Sequence, residues 1–323
     1  MIYGAGAIGG TIGARLHQAG HEVALIARGR HLDALRSGGL AFQTPAVENH
    51  LAIQTVASPK EIEIAKGDVV LLTMKSQDTA ATLGELSAAA DPDVAVVCAQ
   101  NGVESERLAL RCFARVYGMF VWVAAQHLRP GVVQAYAAPP ALGVLDLGRA
   151  PHGRDKLADE VSSHLRGAGF VSRVDAEIMR WKYGKLLSNL ANAVEAILGP
   201  DAPGGELVRR ARAEAFACYE VAGIRYATSD EISERVAGNG ELGSIDGQPR
   251  GGGSTWQSLA RGSTGVETAF LNGEIVLLGR LHGVPTPVNQ AITQIALRMA
   301  REGAQPGSAD LVQVEDTIER LQA

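Results

Sequence analysis

The sequence predicts an α/β protein: an N-terminal doubly wound parallel sheet over residues 1–175 and a C-terminal all-helical domain over residues 176–323. Three observations carry this expectation. Short β-branched runs alternate with Ala/Leu-rich helical stretches through the first half, which is the pattern of a parallel sheet covered on both faces. A glycine-rich turn, Gly4-Ala5-Gly6-Ala7-Ile8-Gly9, follows the first apolar run and opens the first helical one. From about Glu177 onward a helical period replaces the alternation.

The elements follow in order. Only Met1, Ile2 and Tyr3 precede the first glycine, so the first strand is expected to be short, or to begin a few residues upstream of the recorded start. Further strands are expected at His21–Ala27, Asp68–Thr73, Val94–Cys98 and Val116–Val123, with helices near Ile8–Ala19, Arg30–Ser37, Gln77–Ala89 and Val103–Arg111. Leu40–Gln43 and His50–Ala57 read as a strand pair that interrupts this rhythm, and Val132–Leu147 as a second antiparallel excursion. A helix at Asp155–Arg166 and a short strand at Phe170–Val174 close the sheet domain. Helices at Ile178–Leu198, Glu206–Ala222, Asp230–Val236, Thr268–Leu281 and Val288–Ala300 make up the rest. Gly238–Gly253 holds too many glycines to sustain a helix and reads as a mobile loop.

Composition narrows the function classes. The chain has 323 residues, 46% of them hydrophobic and 20% charged, with a formal net charge of −5. That is an ordinary globular balance with no basic excess to draw it to nucleic acid. The longest apolar run, Val116 to Ala125, is far short of the roughly 20 residues that span a bilayer. No secretory leader is legible at the start, and a cytoplasmic protein is expected. Cys98, Cys112 and Cys218 form no CxxC pair and the histidines show no HExxH spacing, so no metal site is expected. A homodimer stays open; no apolar face that would build one is identifiable.

Gly4-Ala5-Gly6-Ala7-Ile8-Gly9 is a GxGxxG between strand and helix, the context in which this motif binds a dinucleotide. Its first glycine permits the tight turn, its second lets the pyrophosphate approach the backbone, and its third lets helix and strand pack closely, while the helix N-terminus offers N–H groups. The alternative is a glycine-rich turn of no consequence. At the end of the next strand stands Arg28, with Arg30 and His31 close by and no carboxylate at that position. An Arg there accommodates a 2′-phosphate, so NADPH is expected in preference to NADH. Lys75 and Asn101 fall just past the ends of later strands, where ligands of open parallel sheets bind.

The segment from Trp181 to Asn192 is the most informative in the second half. On a helix Lys185, Asn189 and Asn192 share one face, while Leu186, Leu187, Leu190, Val194 and Ile197 lie on the other. The polar stripe is either the wet side of an amphipathic helix or the wall of a cleft. Ile178, Trp181 and Ala196 on the same face suit a cleft wall, and the pattern alone leaves both readings open.

With these features together, the chain resembles the ketopantoate reductases (2-dehydropantoate 2-reductases) over essentially its whole length. The resemblance rests on GAGAIGG at the start, Arg28, Thr73-Met74-Lys75, Gln100-Asn101-Gly102, the Lys185/Asn189 helix, and Glu267 with Leu271-Asn272-Gly273. It implies a Rossmann domain, a helical domain and an active site in the cleft between them, where NADPH reduces a branched 2-oxo acid to the 2-hydroxy acid. Lys185 then matches the proton donor and Glu267 the carboxylate that contacts the reacting hydroxyl and orients the lysine. Asn189 matches a substrate-binding amide, joined by Asn192 on the same face. Asn101 matches an Asn near nicotinamide and substrate, and Ser254 or Thr255 a hydroxyl for the substrate carboxylate. Ala125 aligns with a backbone contact to the cofactor, alongside Gly4, Gly6, Ala7, Ile8, Gly9, Arg28 and Lys75. Residue by residue, Glu267 also reads as the end of a capping box begun by Thr264, and Ser254-Thr255 as an N-cap. Asn192 lies three residues after Asn189 where the family usually spaces four, Ala269 stands where an Asp is common, and Trp256 replaces a common Met. These departures bear on the substrate more than on hydride transfer. The alternatives are a related dehydrogenase acting on another hydroxy or imino acid and a non-catalytic NADP-sensing protein.

Overall fold

The computed structural model describes residues 1–137, 141–200, 204–239, 242–248 and 250–322. The chain forms two compact units. One comprises Met1–Gln100, Ser105–Lys182 and Ser229–Arg250; the other comprises Asn101–Glu104, Tyr183–Thr228 and Gly251–Ala323.

The first unit contains β1 (Ile2–Tyr3), α1 (Ala7–Gln18), β2 (Ala24–Ile26), α2 (Gly29–Gly38), β3 (Leu40–Gln43), β4 (Glu48–Leu51), β5 (Gln54–Val56), β6 (Val69–Leu72) and α3 (Thr79–Ser87). It continues with β7 (Ala95–Cys98), α4 (Glu104–Ala109), β8 (Arg115–Trp122), β9 (Ala125–Gln126), β10 (Val132–Ala135), β11 (Val144–Arg149) and α5 (Lys156–Gly167). The main sheet has seven strands in the order β11-β8-β7-β6-β1-β2-β5, parallel except for β11. β1 is the point from which the order runs both ways, with β6 on one side and β2 on the other.

Alternation along each strand explains why this sheet is buried on both faces. Leu71, Val97 and Tyr117 face one core, while Val70, Leu72, Val96, Cys98 and Val116 face another. Both faces are dry, so the strands read as unbroken apolar runs. A second sheet, in the order β4-β3-β10-β9, packs against α1 through β3, β9 and β10. Of the expected strand pair, Leu40–Gln43 pairs with β4, whereas the end of His50–Ala57 leaves as β5 to join the main sheet beside β2. The excursion over Val132–Leu147 divides likewise between β10 and β11, with positions 138–140 outside the described residues. The expected strand Phe170–Val174 is reduced to isolated bridges, Val171 to Val144 and Val174 to Leu147.

α6 (Ile178–Leu198) is followed by α7 (Gly205–Val221), α8 (Ser229–Val236), α9 (Ser254–Ala260), α10 (Asn272–His282), α11 (Pro287–Glu302) and α12 (Leu311–Gln322). The second unit is built on a core of Val194, Ile197, Leu207, Ile292, Ile295 and Ile318, among others. Pro287 opens α11, and Glu214 satisfies its first free donors by accepting from the N–H groups of Val288 (2.8 Å) and Asn289 (2.9 Å).

A buried carboxylate ties α8 to the sheet unit. Asp146 on β11 receives the Arg235 guanidinium in two bonds, at 2.7 and 2.6 Å, and the Arg173 backbone N–H at 2.9 Å. Positions 240, 241 and 249 of the expected Gly238–Gly253 loop lie outside the described residues; within the rest, the Gly243 N–H is bound to the Tyr136 carbonyl at 2.8 Å.

Candidate active site

The glycine turn is built as its spacing predicts. Gly4 has φ +105, and a Cβ there would lie 2.6 Å from the Met74 nitrogen, so only glycine makes this turn. A Cβ on Gly9 would overlap the Gly4 carbonyl oxygen and Thr73 Oγ1, so α1 crosses β1 too closely for a side chain. Gly6 is different: a Cβ there would meet nothing within 4 Å. Its lack of a side chain leaves clear space in front of a helix N-terminus that has no side-chain cap and no acidic residue in its first turn, Ala7 and Ile8 included. Open space, uncapped N–H groups and the positive end of the helix dipole suit a pyrophosphate. Thr73 fixes the turn by donating to the carbonyls of Tyr3 (3.1 Å) and Gly4 (2.8 Å).

Arg28 stands two residues past β2 at the N-cap position of α2, makes no capping bond there, and has about half its side chain exposed. His31, expected to share a basic cluster with it, does something else. The Gly131 N–H donates to its Nδ1 at 2.9 Å, so the ring proton sits on Nε2, 2.8 Å from the Ala5 carbonyl. A protonated ring would lose the Gly131 bond, and burial pushes its pKa below the usual imidazole value. His31 is a neutral strut under the glycine turn, not a phosphate cation. Lys75 is half-buried just past β6, and Ala125 is buried in β9 with its carbonyl accepting from Arg250 at 3.4 Å. Asn101, three residues past β7, is grouped with the helical unit.

Two lysines on α6 have separate fates. Lys182 is in the sheet unit, where it pairs with Glu106 and also donates to the carbonyls of Cys98 (3.3 Å) and Gln100 (3.0 Å). With 3% and 2% of these side chains exposed, the pair is structural. Burial raises the Glu106 pKa and the Lys182 charge opposes that rise. Lys182 is thus committed to holding α6 to β7. Lys185 lies in the helical unit and is half-buried.

Within the helical unit, Lys185, Asn189 and Asn192 follow one face of α6, and Leu186, Leu190, Val194 and Ile197 are buried on the other. The Asn192 amide donates to Ser254 Oγ at 3.4 Å, which brings these two predicted residues together at the start of α9. Asn189 and Thr255 are both buried, and Asn189 Oδ1 and Thr255 Oγ1 have no hydrogen-bond partner. Buried polar atoms are nearly always paired, so such exceptions mark where a ligand or water completes the bonding. Thr268 Oγ1 and Asn272 Oδ1 in this unit share that condition. Glu267 is buried at the start of a 3-10 turn, Glu267–Phe270. Its capping role is not realised. The turn begins after Val266 with no side-chain cap, and α10 starts only at Asn272, past a break at Leu271.

Two carboxylates escaped the sequence reading. Glu195 receives the Gly253 N–H at 3.2 Å, and its oxygens occupy the space that a Cβ on Gly252 or Gly253 would need. It continues the stripe of Asn189 and Asn192 by three residues, so the signal was present. Glu85, on α3, pairs with Arg28 from far along the sequence, and no local pattern points to it. No group of three or more His, Cys, Asp or Glu side chains that could hold a metal ion occurs among the described residues, nor is any helix there long and apolar enough to cross a membrane.

Comparison with known proteins agrees with this layout. Residues 1–147 match the family described as "Ketopantoate reductase PanE/ApbA", and residues 177–300 its C-terminal part. A 2-dehydropantoate 2-reductase of Pyrococcus horikoshii is 31% identical, the match covering 95% of this chain and 98% of that protein. Among solved structures, a PanE/ApbA family ketopantoate reductase from Ralstonia eutropha JMP134 is 28% identical with a TM-score of 0.76, covering 94% of this chain and 99% of that one. D-mandelate dehydrogenase, solved with NADH and anilino(oxo)acetate, shares the fold at 21% identity and a TM-score of 0.76, with full coverage of both chains. Matched in both of its parts and along nearly the whole length of a curated relative, the chain belongs to the ketopantoate reductase family, NAD(P)H-dependent oxidoreductases that act on 2-oxo acids.

Proposed function

We propose that the chain reduces a branched 2-oxo acid of the ketopantoate type to its 2-hydroxy acid with NADPH, and that Lys185 delivers the proton. The observation that carries this reading is the α6 face: a half-buried lysine one turn before a buried asparagine whose Oδ1 has no partner. When bound, the reduced nicotinamide supplies the hydride. Hydride arriving at the carbonyl carbon leaves negative charge on oxygen, which the Lys185 ammonium stabilises and then protonates from Nζ. The neutral amine recovers its proton from water. Asn189 and Asn101 hold the oxo acid by their amides, Ser254 or Thr255 binds its carboxylate, and Glu267 keeps the ammonium oriented. The helical unit, Tyr183–Thr228 and Gly251–Ala323 within residues 176–323, serves as the substrate-binding domain. Gly4, Gly6 and Gly9 shape the pyrophosphate turn, Arg28 takes the 2′-phosphate, and Lys75 and Ala125 complete the nucleotide contacts in a cytoplasmic enzyme.

The test is consumption of NADPH with ketopantoate, followed spectrophotometrically. Lys185→Ala is expected to lower kcat by about 10²–10⁴-fold, the usual worth of a general acid, while NADPH affinity stays within a few-fold. Unimpaired turnover removes Lys185 from the mechanism; NADPH binding with no turnover on any oxo acid identifies a sensor instead.

Glu195 favours a second reading of the substrate. Its carboxylate at the start of α9 sets a negative charge beside Ser254, which disfavours an acid group there. A related dehydrogenase substrate, a hydroxy or imino acid whose side chain carries a positive charge to face Glu195, then fits better than ketopantoate. A panel of oxo and imino acids ranked by kcat/KM separates the two.

A further inference from the structure

In dinucleotide-binding folds the residue at the end of the second strand reports on the ribose. A carboxylate there accepts a bond from a 2′-hydroxyl, and an arginine accommodates a 2′-phosphate. In this chain both chemistries meet at one place, from different elements. Arg28 at the end of β2 supplies the guanidinium, and Glu85 on α3 supplies the carboxylate, with Arg28 Nη2 at 3.2 and 3.1 Å from the two carboxylate oxygens. The side chains are 54% and 42% exposed, so an incoming ribose substituent can reach either.

This pair differs from the surface salt bridge Arg36–Glu61, whose carboxylate is otherwise held by the Ala57 backbone N–H, because a third side chain holds it. The Tyr3 hydroxyl donates to Glu85 Oε2. Tyr3 is the last residue of β1, immediately before Gly4, and its ring is buried. The carboxylate is therefore tethered from the base of the glycine turn itself. The tether also shows in the titration of the two groups. Burial and the hydrogen bond to Glu85 push the Tyr3 hydroxyl up to about 12, and that bond holds the Glu85 carboxyl below its usual range. Glu85 is ionised at neutral pH and fixed against Arg28.

We propose that Glu85 is a specificity-determining residue: its tethered carboxylate counters Arg28 against a 2′-phosphate and offers an acceptor to a 2′-hydroxyl, so that the site takes NADH as well as NADPH. This deepens the cofactor reading above and rests on it. A carboxylate next to a phosphate dianion repels it, while a neutral hydroxyl donates to the same oxygens. Glu85 thus curbs the preference that Arg28 alone would give.

Binding of each dinucleotide to the full chain, without substrate, is measured by quenching of tryptophan fluorescence. Glu85→Gln removes the charge and keeps an oxygen for Tyr3. It is expected to raise the ratio Kd(NADH)/Kd(NADPH) about tenfold, equivalent to about 1.4 kcal/mol, chiefly by tightening NADPH. Tyr3→Phe, which loosens the tether without altering charge or the buried ring, should move the ratio the same way by a smaller factor. An unchanged ratio in both variants, or equal weakening of the two dinucleotides, overturns the proposal. Wild-type protein that binds neither dinucleotide overturns it together with the nucleotide reading. A shifted ratio in a protein that consumes no oxo acid upholds Glu85 and refutes only the substrate.

Discussion

Replacing Gly6 by alanine separates folding from nucleotide binding, because the two glycines that flank it cannot be replaced so cheaply. A methyl at Gly6 meets no atom within 4 Å, and its φ of −73 is one that any L-residue adopts. The folded state bears no clash, and the unfolded chain loses freedom, so stability is expected to stay level or rise by about 0.4–1 kcal/mol. The same methyl stands in front of the uncapped N-terminus of α1, where a pyrophosphate must approach the backbone N–H groups. Losing one charge-assisted hydrogen bond there costs about 1.5–3 kcal/mol, or roughly 10- to 150-fold in affinity. Gly9→Ala is the contrast: its methyl overlaps the Gly4 carbonyl oxygen and Thr73 Oγ1 and lies 2.9 Å from Ile2 Cγ2, so it should lower stability by about 1–3 kcal/mol. Urea denaturation reads stability, and fluorescence titration with NADPH and NADH reads affinity. A Gly6→Ala protein with wild-type affinity for both dinucleotides would refute the reasoning, because no phosphate then approaches that backbone.

Two further outcomes follow from one buried and one half-buried titratable group. Lys182→Met should cost about 3–5 kcal/mol by leaving Glu106 charged and unpaired. Glu106 is then protonated more readily in the folded than in the unfolded chain. The loss should therefore be greater at pH 8 than at pH 5, and the double variant Lys182→Met/Glu106→Leu should recover most of it in urea denaturation; a double variant as weak as the single one counts against a buried ion pair. His31 titrates in the opposite sense. Its neutral ring is favoured in the fold, so its contribution is complete above the ordinary imidazole pKa of about 6.5 and is lost as pH falls through the window below it. Thermal denaturation between pH 7.5 and 5.5 should show a shallower decline for His31→Gln than for wild type, and equal slopes would show that the ring carries no such linkage.

The parts of the molecule legible in the sequence are those fixed by local pattern. GxGxxG specifies a turn whose clashes at Gly4 and Gly9 are visible in the structure, and the parallel strands announce themselves because both faces are dry. The α6 face was readable from spacing alone, and Glu195 extends it by the same rule. Leu311, Val314, Ile318 and Leu321 carry the helical period of α12, which the reading passed over. What stayed hidden depends on distant partners. Arg28 looks like an unopposed cation until α3 brings Glu85 to it, and His31 looks basic until Gly131 donates to its ring. Lys182 and Lys185 are indistinguishable as letters; only the burial of Glu106 assigns one to structure. Thr264 and Glu267 match a capping box, yet the backbone breaks at Leu271 before a regular helix begins.

The bond between Asp146 and Arg235 has a consequence for how the gene divides. The sheet unit is not a contiguous stretch of chain: it recruits residues 229–250 from within the helical half, and Arg235 on that returning strip neutralises a carboxylate sealed inside β11. A fragment ending at residue 175 would leave Asp146 with Arg173 alone, its guanidinium 3.8 Å away, in place of the two short bonds from Arg235, and would enclose Glu106 without Lys182. The sheet half is therefore not a contiguous detachable module, and grafting it onto another scaffold means transplanting two separated pieces of sequence together.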